Sequence, residues 1–126
     1  MKDQEHSTLA NQKYISLETY KKDGTPVLTP VWFAEHDGNV YLYSLADAGK
    51  VKRIRQTPRV RIAPCDARGK LKGEWIPGTA RIADPDEARM AHHLLDQKYG
   101  LLKKIGNAFS RFRKRQRAVI TIRPGN

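Results

Sequence analysis

The sequence predicts a mainly β domain with a few flanking helices, in which six antiparallel strands close, or nearly close, into a small barrel. Two observations predict this fold. Two Asp-Gly pairs, at 23–24 and 37–38, separate three runs that are rich in β-branched and aromatic residues. The run RVRIAPC, at 59–65, alternates apolar and basic residues, which is typical of a strand with one solvated face. Closure is expected because it removes the exposed edges through which sheets aggregate.

The first half of the chain contains three strands joined by the two Asp-Gly turns. These strands are predicted at residues 13–22, 26–35 and 39–45. Pro30 lies inside the second of them. Because proline cannot donate to a ladder, we expect this position at a sheet edge, at a bulge or against a ligand.

A short helix is predicted over residues 48–56, directly after the third strand. Asp47 is expected to cap it, and Pro58 follows soon after its end. Val51 and Ile54 are spaced to face the core of the domain.

The second half contains a longer helix between strands. Asp84 is expected to cap its start, Pro85 suits its first position, and Glu87 would complete a capping box with Asp84. Gly100 is expected to end it. A second, basic helical stretch is predicted over about 101–113. The remaining strands are predicted at residues 59–65, 74–83 and 117–123.

Length and composition limit the function classes. The 126 residues are expected to form a single domain over 1–126, and a formal charge of +11 favours anionic ligands. Nucleic acid, acidic lipid and a phosphorylated cofactor all remain open. Cys65 is the only cysteine, so an internal disulfide is excluded. Since no apolar run approaches the ~20 residues that span a bilayer, we expect a cytoplasmic protein without a membrane partner.

Basic residues are concentrated between Gly49 and Cys65. A Walker phosphate loop is excluded, because Ser44 stands where its first glycine belongs and Val51 follows Lys50. The remaining functional interpretation is an anion held near the start of the short helix, where Lys50 lies in the first turn. The alternative is an ordinary solvated basic face.

A nucleic-acid interface is a second hypothesis. Seven Lys and Arg side chains lie within residues 103–117, and Phe109 and Phe112 stand among them. The two phenylalanines are three positions apart, which core packing explains equally well. The chain shows no sequence signature of a nucleic-acid-binding module.

No side chain is predicted to be catalytic by itself, and no metal site is predicted. His92 and His93 are adjacent on a helix and therefore point in different directions. Any enzymatic chemistry is expected to belong to a bound cofactor that the protein orients.

Three segments in order carry a resemblance to a known family. They are TPVWF at 29–33, ADAGKVKRIR at 46–55 and PRVRIAPCDARG at 58–69. The chain resembles the pyridoxamine-phosphate-oxidase-like superfamily of flavin and deazaflavin oxidoreductases, most closely its coenzyme F420-dependent subgroup. The resemblance runs from about Tyr14 to Asp84 and continues more loosely to the last strand. It implies an FMN-binding type of split β-barrel, usually a homodimer with cofactor sites at the interface.

The resemblance also implies the cofactor-binding residues. The second strand would lie along the ring system, the end of the third would approach the sugar-like chain and phosphate, and the short helix would bind the phosphate through Lys50. The far wall would come from the fourth strand, and Trp75 would reach the partner's site. In full, the implied residues are Thr29, Pro30, Val31, Trp32, Ser44, Ala46, Lys50, Lys52, Arg53, Ala63, Pro64, Cys65 and Trp75. Some relatives carry a basic residue where this chain has Ala48.

The function that the resemblance implies is hydride transfer between coenzyme F420 and a small organic substrate. A cationic track that Arg59 and Arg61 extend fits the polyanionic tail of that coenzyme. An FMN-dependent oxidoreductase or FMN-binding protein of the same fold is the alternative. A non-enzymatic flavin- or nucleic-acid-binding module is the second alternative. The sequence leaves the substrate and the direction of the reaction open.

Overall fold

The computed structural model describes residues 9–45, 48–105 and 117–125, and within them the side chains of Leu45, 101–105 and Arg117 are excepted. The described residues form seven strands and two helices. In chain order these are β1 Tyr14–Tyr20, β2 Pro26–Val31, β3 Ala34–His36, β4 Asn39–Leu45, α1 Gly49–Gln56, β5 Arg59–Cys65, β6 Ile76–Ile82, α2 Pro85–Ile105 and β7 Arg117–Pro124.

The expected six strands are corrected to seven because the predicted strand at 26–35 is divided. Its first part is β2, which pairs with β1, and its last part is β3, which pairs with β4. Trp32 and Phe33 lie between the two parts. One apolar run of the sequence therefore supplies strands to two different partners, β1 and β4. The period of its apolar residues does not show where the run divides.

All seven strands belong to one antiparallel sheet with the order β2-β1-β5-β6-β7-β4-β3. β2 and β3 lie at the opposite ends of this order, and yet only Trp32 and Phe33 separate them in the chain. The sheet must therefore curl so that the end of β2 and the start of β3 lie close together, although no ladder joins these two strands in the described sheet. This curled half-barrel is the observed form of the predicted barrel, and the two-residue connection is called the crossover below.

Both predicted Asp-Gly turns are present. Gly24 has φ of +90°, and the pair Asp37 and Gly38 has φ values of +50° and +80°. Positive φ at two consecutive residues defines the type I′ turn that joins β3 and β4, and it explains why Asp-Gly occurs there.

The interior of the curled sheet is filled by alternating side chains from β1, β4, β5 and β7. Ile15, Leu17, Leu42, Ile62 and Ile120 are all fully buried there. Helix α1 closes one end of this core by inserting Val51 and Ile54, as the sequence predicted. The expected cap was wrong, since the N-cap position is Ala48 and Asp47 lies outside the described residues.

Helix α2 packs against the outer face of β4 and β7. Asp84 caps it as predicted, since its Oδ1 accepts the backbone N–H of Glu87 at 2.8 Å. Gly100 does not end the helix, which continues to Ile105. Glycine costs a helix only about 1 kcal/mol, and burial of Leu95 and Tyr99 in the preceding turns offsets that cost. The predicted stretch at 101–113 thus begins as the end of α2, and its part beyond Ile105 lies outside the described residues.

Neither described helix has an apolar stretch of the length that crossing a bilayer requires.

Candidate functional site: a cationic cluster and an edge strand

Two cationic side chains of α1 meet two buried hydroxyls at one end of the barrel. Lys50 Nζ lies 3.4 Å from Ser44 Oγ, and Arg53 Nε donates to Thr19 Oγ1 at 2.7 Å. Ser44 and Thr19 are buried near the carboxyl ends of β4 and β1. These four residues are called the α1 cluster below. It brings together Ser44, Lys50 and Arg53, which the sequence predicted as cofactor-binding residues.

The α1 cluster has electrostatics suited to an anion. Burial lowers the pKa of Lys50, and the nearby Arg53 cation lowers it further. The first turn of α1 contains no acidic residue. An anion that bound here would relieve the repulsion between the two cations and would meet the positive end of the helix dipole.

Gly49 leaves room for the Arg53 guanidinium at the start of α1. A Cβ at this position would lie 2.7 Å from Nη1 of Arg53, which is closer than nonbonded atoms approach. The guanidinium of Arg53 therefore lies across the first residue of the helix. A larger residue at position 49 would push Arg53 away from Thr19.

Two other residues that were predicted at the phosphate end do not belong to the α1 cluster. Lys52 is exposed on α1, and Ala46 lies outside the described residues. Ala48 is part of the turn into α1 and offers no charge.

The strand β2, with Thr29, Pro30 and Val31, lies at the edge of the described sheet. β1 is its one strand partner there, so the other side of its backbone faces away from the sheet. Of the positions expected for Pro30, the sheet edge is the one observed. Its missing N–H costs no ladder bond where no further strand follows.

Trp32 is held in the crossover by Tyr99 of α2. The two rings are parallel, with an interplanar angle of 3° and centroids 4.5 Å apart. The Tyr99 hydroxyl accepts the N–H of Phe33 at 3.1 Å and has the carbonyls of Lys13 and Phe33 as acceptors at 2.8 and 2.9 Å. Burial raises the pKa of Tyr99 to about 12, so this hydroxyl keeps its proton.

A second side chain of α2 also covers the crossover. Lys98 Nζ lies 3.5 Å from the centre of the Phe33 ring. Burial of the ammonium lowers the pKa of Lys98 to about 8, although the Glu35 carboxylate acts in the opposite direction.

β1 connects the two parts of the site. Val31 pairs with Ile15 near the start of β1, and Arg53 contacts Thr19 near its end. At about 3.3 Å per residue, these points are about 13 Å apart along the strand. An elongated ligand could therefore have its charged end at the α1 cluster and its ring near the crossover.

Three predicted residues lie on β5, on the opposite side of β1 from β2. Ile15 pairs with both Val31 and Pro64, so β2 and this part of β5 flank the same point of β1. Ala63, Pro64 and Cys65 are buried. Burial, followed by the nearby Asp66 charge, raises the pKa of the Cys65 thiol, so Cys65 is a neutral packing residue.

Trp75 belongs to a charged network on the outer face of the sheet. The guanidinium of Arg61 lies 4.8 Å from the centre of its ring. Arg61 also forms two hydrogen bonds with the buried carboxylate of Glu18, at 2.6 and 3.0 Å, and Tyr20 donates to the same carboxylate. The hydrogen bonds from Arg61 lower the pKa of Glu18. Arg61 is thus bound by Glu18 rather than simply extending the cationic track.

Pro64 and Trp75 also line a cavity of about 610 Å³ together with Leu9, Glu35 and Ile76. The α1 cluster does not line this cavity. The predicted site residues therefore fall into a cationic group at α1, an edge strand with the crossover, and a group formed by β5 and Trp75.

Sequence reasoning missed Thr19, Glu18 and Tyr99. Thr19 shares one face of the predicted first strand with Ile15 and Leu17, but this alternation carries no signal for a ligand-binding role. No local signal links Tyr99 to Phe33, since 66 residues separate them.

Within the described ranges, no three His, Cys, Asp or Glu side chains come together as a metal site.

Comparison with known proteins gives a family and a fold. The sequence profile described as pyridoxamine 5'-phosphate oxidase matches residues 1–125. No curated protein matches the sequence.

Three solved structures illustrate how varied the similar proteins are. An F420 reductase is 22% identical, with a TM-score of 0.64, and the match covers 96% of this chain and 93% of that one. A FAD-binding protein from Mesorhizobium loti is 18% identical, with a TM-score of 0.66 and coverage of 95% and 86%. A heme storage protein from Vibrio cholerae is 13% identical, with a TM-score of 0.68 and coverage of 98% and 89%. At these identities the likeness concerns the fold alone.

Proposed function

Because the chain belongs to the pyridoxamine 5'-phosphate oxidase family, matched over residues 1–125, we propose that it is an oxidoreductase that uses a deazaflavin, coenzyme F420. It would transfer a hydride between this coenzyme and a small organic substrate. The α1 cluster is the observation that carries this proposal.

The donors of the α1 cluster fit the phosphodiester of such a coenzyme. Lys50 supplies an ammonium, Arg53 a guanidinium, and Ser44 a hydroxyl. Charge-assisted hydrogen bonds from such groups are about twice as strong as neutral ones. Because Gly49 has no Cβ, the Arg53 guanidinium can lie across the helix start, where it would meet an oxygen of the phosphodiester.

The edge strand and the crossover fit the flat ring of the coenzyme. β2 offers backbone groups that no further strand of the described sheet uses, and the ring of Trp32 is fixed by its stack on Tyr99. The bound coenzyme would supply the hydride. The protein would orient the two reacting carbons at about 3–3.5 Å, so no catalytic side chain is required.

We propose that the working form is a homodimer with the cofactor sites at its interface and Trp75 next to the partner's site. Leu28 on β2 is 55% exposed, and Leu71 is 42% exposed, which leaves two large apolar side chains for a partner surface to cover. Light scattering on the purified protein tests this point, and a monomer at micromolar concentration would contradict it.

A comparative titration tests the cofactor. We expect F420 to bind more tightly than FMN, and Lys50→Ala to weaken binding of F420 at least tenfold. Lys70→Ala is the matched control, since Lys70 is exposed in the turn after β5, away from the α1 cluster, and should change the affinity less than twofold.

FMN is the alternative cofactor, and the similarity to a FAD-binding protein favours it as the second candidate. Tighter binding of FMN than of F420, with the same loss in Lys50→Ala, would support that candidate. If neither molecule binds below millimolar concentration, or if Lys50→Ala changes neither affinity, the cofactor proposal is wrong.

A further inference from the structure

A second cavity, which has a polar lining, lies on the outer face of β4, β6 and β7 and is called the β7 cavity below. Its volume is about 550 Å³, and it is lined by Asn39, Thr79, Arg81, Thr121, Arg123, Pro124 and Gly125. Two arginines, two threonines and one carboxamide thus supply its polar side chains, and no carboxylate from the described part of the chain lines it. A lining of this composition is suited to an anion.

The pairing of β6 and β7 sets these side chains in a compact square. Thr79 pairs with Arg123, and Arg81 pairs with Thr121. Directly opposite residues of antiparallel strands share a face, and their Cβ atoms are about 5 Å apart, while diagonal neighbours are about 7–8 Å apart. The two arginines therefore occupy one diagonal of the square and the two threonines the other.

Arg81 is held in place from outside the cavity. Glu87 accepts two hydrogen bonds from its guanidinium, at 2.5 and 2.7 Å, and raises its pKa. Glu87 itself lies in the capped first turn of α2. Since a guanidinium has five N–H donors, Arg81 retains donors for a ligand after this pairing.

The side chain of Thr121 is a second observation that points to a ligand in the β7 cavity. Its side chain is 2% exposed, and its Oγ1 is buried with no hydrogen-bond partner within the described part of the chain. Buried polar atoms are nearly always satisfied, and leaving one without a partner costs free energy. A ligand oxygen in the β7 cavity would supply an acceptor for this hydroxyl after a change of side-chain rotamer.

We propose that the β7 cavity binds a small molecule that carries a phosphate group. A phosphate has enough acceptor oxygens to engage two guanidiniums and two hydroxyls together, and arginine matches its geometry with paired N–H donors. A volume of about 550 Å³ leaves room for the organic part of such a molecule.

The β7 cavity is separate from the α1 cluster. Asn39 and Ser44 stand at opposite ends of β4, about 17 Å apart along the strand. The proposed phosphate site therefore does not depend on the proposed coenzyme, and either assignment can fail without the other.

Calorimetric titration with inorganic phosphate at 0.15 M salt tests the site. The titration is made in the Lys50→Ala background, so that the α1 cluster contributes little. We expect Arg123→Gln to weaken phosphate binding at least tenfold and Thr121→Val to weaken it at least threefold. Thr121→Val keeps the side-chain shape and removes the unsatisfied hydroxyl, so the variant should remain folded.

Arg89→Gln is the matched control, since Arg89 is exposed on α2 outside the cavity and its loss changes the net charge equally. It should weaken binding less than twofold. Equal losses in Arg89→Gln and Arg123→Gln would show general attraction to a basic protein and would overturn the proposal. Acetate, titrated in parallel, is expected to bind at least tenfold more weakly than phosphate, and equal binding would overturn the assignment to phosphate.

Discussion

The crossover and the α1 cluster lie near opposite ends of β1 and are built in different ways. At the crossover, the backbone N–H of Phe33 and the hydroxyl of Tyr99 satisfy each other, and two stacked rings fill the space beside them. In the α1 cluster, Lys50 and Arg53 contact only hydroxyls in the hydrogen bonds described, and the Arg53 cation lowers the pKa of Lys50.

The difference indicates which end depends on a ligand. At the crossover, the polar groups and rings described above have their partners within the chain, so its residues should contribute mainly to stability. Among the described residues, the hydrogen bonds of the α1 cluster join two cations to hydroxyls and to no carboxylate, so its residues should contribute mainly to anion binding. Variants at the two ends test this contrast.

Tyr99→Ala should lower the free energy of unfolding by about 3–5 kcal/mol, because it removes a fully buried aromatic side chain and the support of Trp32. Urea denaturation at pH 7 measures this change. Lys50→Met is the comparison from the α1 cluster and should change the free energy of unfolding by less than about 0.5 kcal/mol. Equal destabilisation by the two variants would contradict the contrast between the two ends.

Tyr99→Phe separates the hydroxyl from the ring. It should lower the free energy of unfolding by about 1–3 kcal/mol, because the N–H of Phe33 loses its acceptor in a buried place. The stack on Trp32 should survive, so the tryptophan fluorescence maximum of the folded variant should match that of the parent protein. A loss of stability equal to that of Tyr99→Ala would mean that the ring contributes nothing.

The sequence predicts these two ends to different extents, because their contacts join residues at different separations along the chain. Gly49, Lys50 and Arg53 lie close together in one short helix, and the segment at 46–55 that carries the family resemblance nominated the last two. Pro30 marked an edge strand because proline lacks a donor. The crossover escaped prediction because β2 and β3 read as one run, and their separate partners are decided by the curling of the whole sheet. Tyr99 contacts Phe33 across 66 residues, and no spacing rule reports such a pair.

The pH dependence of coenzyme binding is the third prediction. Burial and Arg53 lower the pKa of Lys50 below its usual 10.5, and a bound anion should raise it again. The affinity for the coenzyme should therefore be highest below the lowered pKa of Lys50. It should fall about tenfold as pH rises above that pKa, since Lys50 loses its proton and a charge-assisted hydrogen bond is lost. Titrations from pH 7 to pH 10.5 measure this fall.

Lys50→Met is the control for that titration. It removes the titrating group of the α1 cluster but leaves Lys98, which has a pKa of about 8 at the crossover. A fall in affinity that persists unchanged in Lys50→Met would assign the pH dependence to another group.

Gly49→Ala should have the smallest effect and is the most selective test of the geometry. A Cβ at position 49 would displace Arg53 from Thr19 without changing any charge, and the displaced group is the flexible end of a long side chain. Alanine also favours the helix by up to about 1 kcal/mol, so the free energy of unfolding should stay the same or rise slightly. The affinity for the coenzyme should fall about threefold, because a charge-assisted hydrogen bond is misplaced rather than removed. If binding is unchanged in Gly49→Ala but lost in Lys50→Ala, Lys50 alone forms the anion site and Arg53 has no part in it.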